Sequence, residues 1–258
     1  YKGSLSAREV CETIKRALIT EIPEAQVTVV PMADGGEGTL DALVYATGGT
    51  VRKITVQGPL LQSVSTQYGV IEQNTAVIEI ANIIGLPMVP IDKRNPLKAS
   101  SYGVGEAIRL ALQQGYRRLI IGLGGSATND GGLGMLQALG AVFYNANHEM
   151  VQPTAASLTQ IVEVDLDSID QRLFESEILI ANDVTNPLCG DQGCTAVFCP
   201  QKGVTKEQLH LLELGMRNYA ACVEKSLGKS LQNHPGAGAA GGLGFALLAI
   251  GAKMMNGA

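Results

Sequence analysis

Residues 120–132 read Ile-Ile-Gly-Leu-Gly-Gly-Ser-Ala-Thr-Asn-Asp-Gly-Gly, which puts five glycines, two hydroxyl residues, an amide and a carboxylate in the turn after an apolar strand. Few backbones accept such a run. Glycine allows positive φ and lets main-chain N–H groups close on a ligand, while the start of the next helix favours an anion. The segment predicts a strand-turn-helix joint shaped around an anion, with an acid near enough to add chemistry to binding. The chain has 31 glycines in 258 residues, against a usual share of about 7%. They gather at 35–38, 122–134 and 236–244, which marks shaped loops rather than flexible linkers.

The same joint recurs along the chain. Ser4 or Ser6 caps a helix running to about Thr20; Glu9 completes a capping box with Ser6, and Val10, Ile14, Ala17 and Leu18 form its apolar stripe. Ala25 to Pro31 reads as a strand entering a second glycine-rich turn, Ala33 to Thr39, and Leu40 to Ala46 as the helix after it. From Thr50 the pattern changes to short β-branched segments, Val51–Val56, Ser63–Ile71 and Thr75–Ile80, which predict an antiparallel meander. Parallel α/β alternation resumes with a helix at Gly105–Gln114 and a buried strand at Leu119–Gly122. A helix at Leu133–Leu139 and strands at Ala141–Tyr144 and Glu177–Ala181 follow. Gln192–Lys202 reads as loop and strand, Thr205–Ser226 as a long amphipathic helix, and Pro235–Gly244 as a turn leading into a helix from Phe245. This alternation fits two interleaved α/β domains better than a tandem pair.

Bulk properties narrow the function classes. Apolar residues make up 46% of the chain and the formal charge is −5, which disfavours disorder and a general nucleic-acid or membrane surface. The five cysteines are odd in number and suggest a reducing, cytoplasmic setting. No apolar run reaches the roughly 18 residues of a membrane span, and no secretory signal precedes the first helix. The chain opens on Tyr1 and ends at Ala258 without an obvious closing element, as expected of a piece cut from a longer sequence.

Asp130, beside Ser126, Thr128 and Asn129, is the leading catalytic candidate; the competing reading is a helix cap. Asp34 and Glu37 flank paired glycines, and carboxylates so placed can hold Mg2+, which takes one or two acidic ligands together with phosphate oxygens. Asp183 ends a strand in the same way. These acids converge if the strands share one carboxyl edge. Lys2 and Lys202 are the candidate phosphate-binding cations. The turn is neither a Walker loop nor a dinucleotide fingerprint. Cys189, Cys194 and Cys199 lack zinc-knuckle spacing and read as unpaired thiols, and His148, His210 and His234 fit no triad.

Taken together, the motifs at residues 1–7, 32–39, 101–106, 124–132, 183–188, 200–203 and 235–244 resemble, in order and spacing, the bacterial type-1 glycerate kinases. The resemblance implies ATP-dependent phosphorylation of D-glycerate to 2-phosphoglycerate in glyoxylate or sugar-acid catabolism, with ATP and Mg2+. Phosphorylation of the 3-hydroxyl and a non-catalytic sugar-acid binding protein are the alternatives. It also implies two unlike α/β domains. One is Rossmann-like and split (1–47, 95–136, 235–258); the other is a mixed-sheet insertion (48–94, 137–234). Family members carry a strand before the residue equivalent to Tyr1 and a further segment past residue 258, so this chain by itself is expected to be inactive. Oligomeric state stays open, a homodimer among the options.

The requirements of phosphoryl transfer then suggest roles. Asp130, Asp183 and Lys2 are the expected catalytic groups, and Asp34 and Asp183 the expected metal ligands. Gly35, Gly36, Gly38 and Thr39 of the first turn are expected to bind substrate or phosphate, as are Gly124, Gly125, Ser126, Thr128 and Asn129 of the second, together with Lys202.

Overall fold

The structure, a computed structural model, describes residues 5–256, so Lys2 lies outside the described residues. Helix α1 (Ala7–Glu21) starts as expected: Ser6 Oγ accepts the Glu9 N–H at 3.2 Å and the Glu9 carboxylate accepts the Ser6 N–H at 2.7 Å. No residue of α1 is buried. Helix α2 (Thr39–Thr47) begins and ends on left-handed glycines, Gly38 and Gly48. Strands β1 (Thr50–Gln57), β2 (Ser63–Ile71) and β3 (Thr75–Glu79) form the antiparallel meander. After α3 (Ala81–Ile84) and α4 (Tyr102–Gln113) comes β4 (Arg118–Gly122), then α5 (Leu133–Ala138). The chain continues through β5 (Val142–Tyr144), β6 (Glu163–Asp165), β7 (Glu177–Asn182), α6 (Cys194–Phe198), α7 (Lys206–Leu227), α8 (Ala239–Ala249) and β8 (Lys253–Asn256).

One mixed sheet of six strands organises these elements, in the order β1-β2-β3-β4-β7-β8, and β5 and β6 form a separate ribbon. The first three strands are antiparallel; from β3 onward the neighbours are parallel. Every residue of β3 is buried, as a strand covered on both faces requires. One face meets a core containing Val104, Ile108 and Leu112 of α4. The other meets Leu40 of α2, which clusters with Ile71 and Val77. Register then fixes the site: Glu79 of β3 lies opposite Gly122 of β4, and Gly122 opposite Ala181 of β7. The turns that follow β4 and β7 leave this carboxyl edge side by side.

Some elements differ from the sequence reading. Ala25–Pro31 is not a strand; residues 25–34 carry no regular structure, because no neighbouring strand pairs with them among the described residues. The strand expected within Gln192–Lys202 is instead α6 followed by a 3₁₀ turn, Pro200–Lys202. Pro200 has no N–H to offer a sheet ladder, which suits the turn. The chain end supplies an edge strand, β8, parallel to β7. The last helix starts before Phe245 and is interrupted by Ala240, Gly241 and Gly242, all at positive φ. The sheet takes β1–β3 from residues 48–94, β4 from 95–136, β7 from 137–234 and β8 from 235–258, so one sheet crosses the two expected sets of segments.

Candidate active site

Two of the glycine-rich turns touch backbone to backbone. A Cβ added to Gly124 would lie 2.4 Å from Gly36 Cα, and one on Gly122 would lie 2.7 Å from the Gly35 carbonyl oxygen. A Cβ on Gly35, at φ +94°, would lie 2.4 Å from the Ala181 carbonyl oxygen of β7. Backbone contact, rather than ligand approach, accounts for the glycines at positions 35, 122 and 124. It brings the ends of three segments to one mouth. The resulting cleft, about 380 Å³, is walled by Asp34 and Glu37, by Gly124, Gly125 and Ser126, by Asp183, and by Arg94 and Lys202.

The floor of the cleft is a cradle of backbone donors. Leu123 donates to the Ala181 carbonyl at 2.9 Å and Ala127 donates to the Ile84 carbonyl at 2.8 Å, pinning both flanks. Between them, the N–H groups of Gly124, Gly125 and Ser126 meet no protein acceptor among the described residues. Gly125 takes φ +67°, the left-handed conformation that turns successive N–H groups toward a common point. Lys202 completes the cradle. Its Nζ donates to Ser126 Oγ at 3.1 Å and to the Thr128 carbonyl at 2.6 Å, and the residue is only 2% exposed. No carboxylate lies within ion-pair distance of it among the described residues, and burial pushes its pKa below the usual lysine range. A buried ammonium with only neutral partners is unfavourable until an anion joins it.

The acids differ in how they are held. Asp34 is exposed and its Oδ1 accepts the Gly36 N–H at 2.9 Å, which orients the carboxylate. Asp183 is exposed as well. Its neighbour Asn182 donates from Nδ2 to the Val184 carbonyl at 2.6 Å and accepts the Val184 N–H at 3.3 Å, closing the loop around Asp183. Asp183 lines the cleft. Among the described residues no cluster of three or more acid, histidine or cysteine side chains could hold a metal alone. Asp34 and Asp183 match instead the one or two carboxylates that accompany a phosphate-bound Mg2+.

Other expected site residues lie beneath the cleft. Asp130 is fully buried: Oδ2 accepts the Ser101 N–H at 2.8 Å, the Ser101 hydroxyl at 2.7 Å and the Gly134 N–H at 3.2 Å, and Oδ1 accepts the Gly132 N–H at 3.2 Å. Burial raises its pKa, opposed by these donors. It clamps the start of α4 to the start of α5, which matches the capping reading rather than a carboxylate open to substrate. Asn129 donates to Thr195 Oγ1 at 3.0 Å, and the buried Thr128 offers its carbonyl to Lys202. Gly38 and Leu40 donate to the Glu79 carboxylate at 3.2 and 2.9 Å, so the start of α2 already has its anion. Thr39 Oγ1 is tied to the Gly36 carbonyl at 2.8 Å.

Glu79 and Arg94 were not singled out from the sequence. Glu79 ends a strand, as Asp183 follows one, which was the available signal; Arg94 had none. The five cysteines are unbridged, and burial pushes the Cys199 thiol up to about 11. None of His148, His210 and His234 lines the cleft.

Comparison with known proteins agrees with the motifs. The Glycerate kinase family matches residues 1–258. The chain is 46% identical over 249 residues to a glycerate kinase of Bacillus subtilis (strain 168), covering 96% of this chain and 65% of the relative. It is 45% identical over 259 residues to a glycerate 2-kinase of Escherichia coli (strain K12), covering 100% of this chain and 68% of that one. A crystal structure from Salmonella typhimurium LT2, described as a glycerate kinase 2, superposes with a TM-score of 0.91 at 44% identity, over 99% of this chain and 70% of that one. The chain thus spans about two thirds of the length of these relatives. On the motifs, the fold and these matches, the chain belongs to the glycerate kinase family.

Proposed function

We propose that the protein carrying this chain transfers the γ-phosphoryl group of ATP to the 2-hydroxyl of D-glycerate. The observation that carries this reading is the cradle of Gly124, Gly125 and Ser126 with the buried Lys202, facing two exposed carboxylates across one cleft. Phosphoryl transfer needs little covalent help from protein: it needs aligned oxygens, neutralised charge and an oriented hydroxyl. The cradle and Lys202 supply donors to phosphoryl oxygens in a partly dry site, where such donors act strongly. Asp183, unencumbered by side-chain hydrogen bonds among the described residues, accepts the proton of the attacking hydroxyl. Asp34 would hold Mg2+, which when bound offsets phosphate charge, and Asp183 is left to take the proton. Asp130 supports the cradle from below without touching substrate. The division into a split Rossmann-like unit and an inserted unit, and a cytoplasmic setting, belong to the same proposal; no helix among the described residues is long and apolar enough to cross a membrane.

An ADP-release assay with D-glycerate on the full-length protein, with the product identified by NMR, tests the activity and its regiochemistry. Binding of D-glycerate without ADP release would favour a non-catalytic role, and 3-phosphoglycerate would move the attack to the other hydroxyl. Asp183→Asn should lower kcat by about 10²–10⁴-fold, the range for loss of a general base, and leave stability unchanged because the carboxylate is exposed. Near-normal turnover would remove Asp183 from the chemistry.

A further inference from the structure

Resting on that reading and extending it, we infer that Arg94 is the carboxylate anchor of the acceptor site and sets its preference for 2-hydroxy acids over polyols. Arg94 lines the cleft, half-buried, and forms no ion pair among the described residues. A guanidinium in that position commonly finds a carboxylate or phosphate partner. Its Nε lies 3.4 Å from the Val89 carbonyl, and its two terminal nitrogens meet no protein acceptor among the described residues, which leaves them for a ligand.

The backbone of Arg94 is equally well held. It follows a 3₁₀ turn at Ile91–Lys93 and precedes the buried Pro96. It packs so tightly on Gly203 that a Cβ there would lie 2.8 Å from the Arg94 carbonyl oxygen and 2.9 Å from its Cβ. Gly203 follows Lys202, so the cleft carries two cations on one wall, and their chemistries differ. The ammonium with the three cradle N–H groups suits a tetrahedral phosphoryl group. The planar fork suits a carboxylate, which it binds through two parallel hydrogen bonds. D-Glycerate has one carboxylate, bonded directly to the carbon bearing the 2-hydroxyl. Gripping that carboxylate places the 2-hydroxyl one atom from a fixed anchor and leaves the 3-hydroxyl on a freely rotating carbon.

The test uses the full-length protein with Arg94→Met, which keeps the apolar stem over Gly203, and Arg94→Lys, which keeps the charge but not the fork. Kinetics with D-glycerate and ATP, a trial with glycerol, and calorimetric titration with D-glycerate are compared. Arg94→Met should raise both KM and Kd for D-glycerate by about 10- to 100-fold with the KM for ATP unchanged, and Arg94→Lys should recover only part. The preference for D-glycerate over glycerol should shrink by the same factor. An increase confined to the KM for ATP would assign Arg94 to the nucleotide phosphates and overturn the inference, as would an unchanged Kd for D-glycerate. Absence of turnover in the unmodified protein refutes the kinase reading alone. The titration still decides the anchor: binding lost in Arg94→Met upholds it, whereas binding retained in the variant, or absent from the unmodified protein, refutes it.

Discussion

Alanine at Gly124 separates two reasons for a glycine-rich turn. Gly124 does not sit at positive φ, so conformation alone permits a side chain. If the glycine served only to admit a ligand, alanine would reduce the freedom of the unfolded chain and stabilise the fold by about 0.4–1 kcal/mol. The structure predicts the opposite sign. The new Cβ would lie 2.4 Å from Gly36 Cα and 3.0 Å from Gly36 N, both main-chain atoms that cannot rotate away. Overpacking of this kind costs about 1–3 kcal/mol, and so deep an overlap belongs near the upper end. Subtracting the conformational gain leaves a loss of about 2 kcal/mol, or roughly 4–8 °C in Tm for a chain of this size.

Gly36→Ala is the control, because it occupies the other side of the same contact. Its nearest neighbour is the Asp34 carboxylate oxygen at 3.0 Å, on a side chain that can shift, and Gly124 Cα is 3.9 Å away. It should be close to neutral. Urea unfolding of both variants, read with their kinetics, checks the asymmetry. A Gly124→Ala protein as stable as the unmodified one would refute backbone contact as the reason for this glycine.

Lys202→Met removes a buried cation that has only neutral partners, so thermal melting should show equal or higher stability while kcat/KM falls by about 10²–10³-fold, as for loss of a preorganised donor. A variant that loses stability and activity together would argue that Lys202 is merely structural. Asp130→Asn puts an amide N–H₂ against one of four donors and should cost about 1–3 kcal/mol in urea unfolding, with kcat lowered less than about tenfold. A kcat collapse at full stability would return Asp130 to the chemistry. Burial raises the pKa of Glu79, partly offset by the Gly38 and Leu40 N–H donors, so the folded state keeps its proton to higher pH than the unfolded state. Stability should therefore fall as pH rises from the ordinary carboxylate range through the raised value, then level off. Glu79→Gln should flatten that part of the urea-midpoint profile, and an unaltered slope would exclude Glu79 as its source.

The sequence by itself determined the local chemistry and most of the elements. Ser6 with Glu9 specified the start of α1, the β-branched segments from Thr50 specified the meander, and the glycine-rich run at 120–132 specified a strand-turn-helix joint. These are signals that neighbouring residues carry between themselves. Residues 25–31 show the limit: a Val-rich run has the propensity of a strand, but a strand exists only where another pairs with it. Which acid faces the cleft was likewise not local. Asp34, Asp130 and Asp183 all stand in polar turns, yet the register Glu79–Gly122–Ala181 opens two of them to the cleft while the packing of α4 on α5 closes over the third. Arg94 reaches the same wall as Lys202 through a contact with Gly203, more than one hundred residues away along the chain. Sequence fixes what each turn can bind, because capping and backbone freedom depend on a few adjacent residues. Tertiary structure decides which groups meet and which are exposed, because those depend on strand pairing and close packing between distant segments.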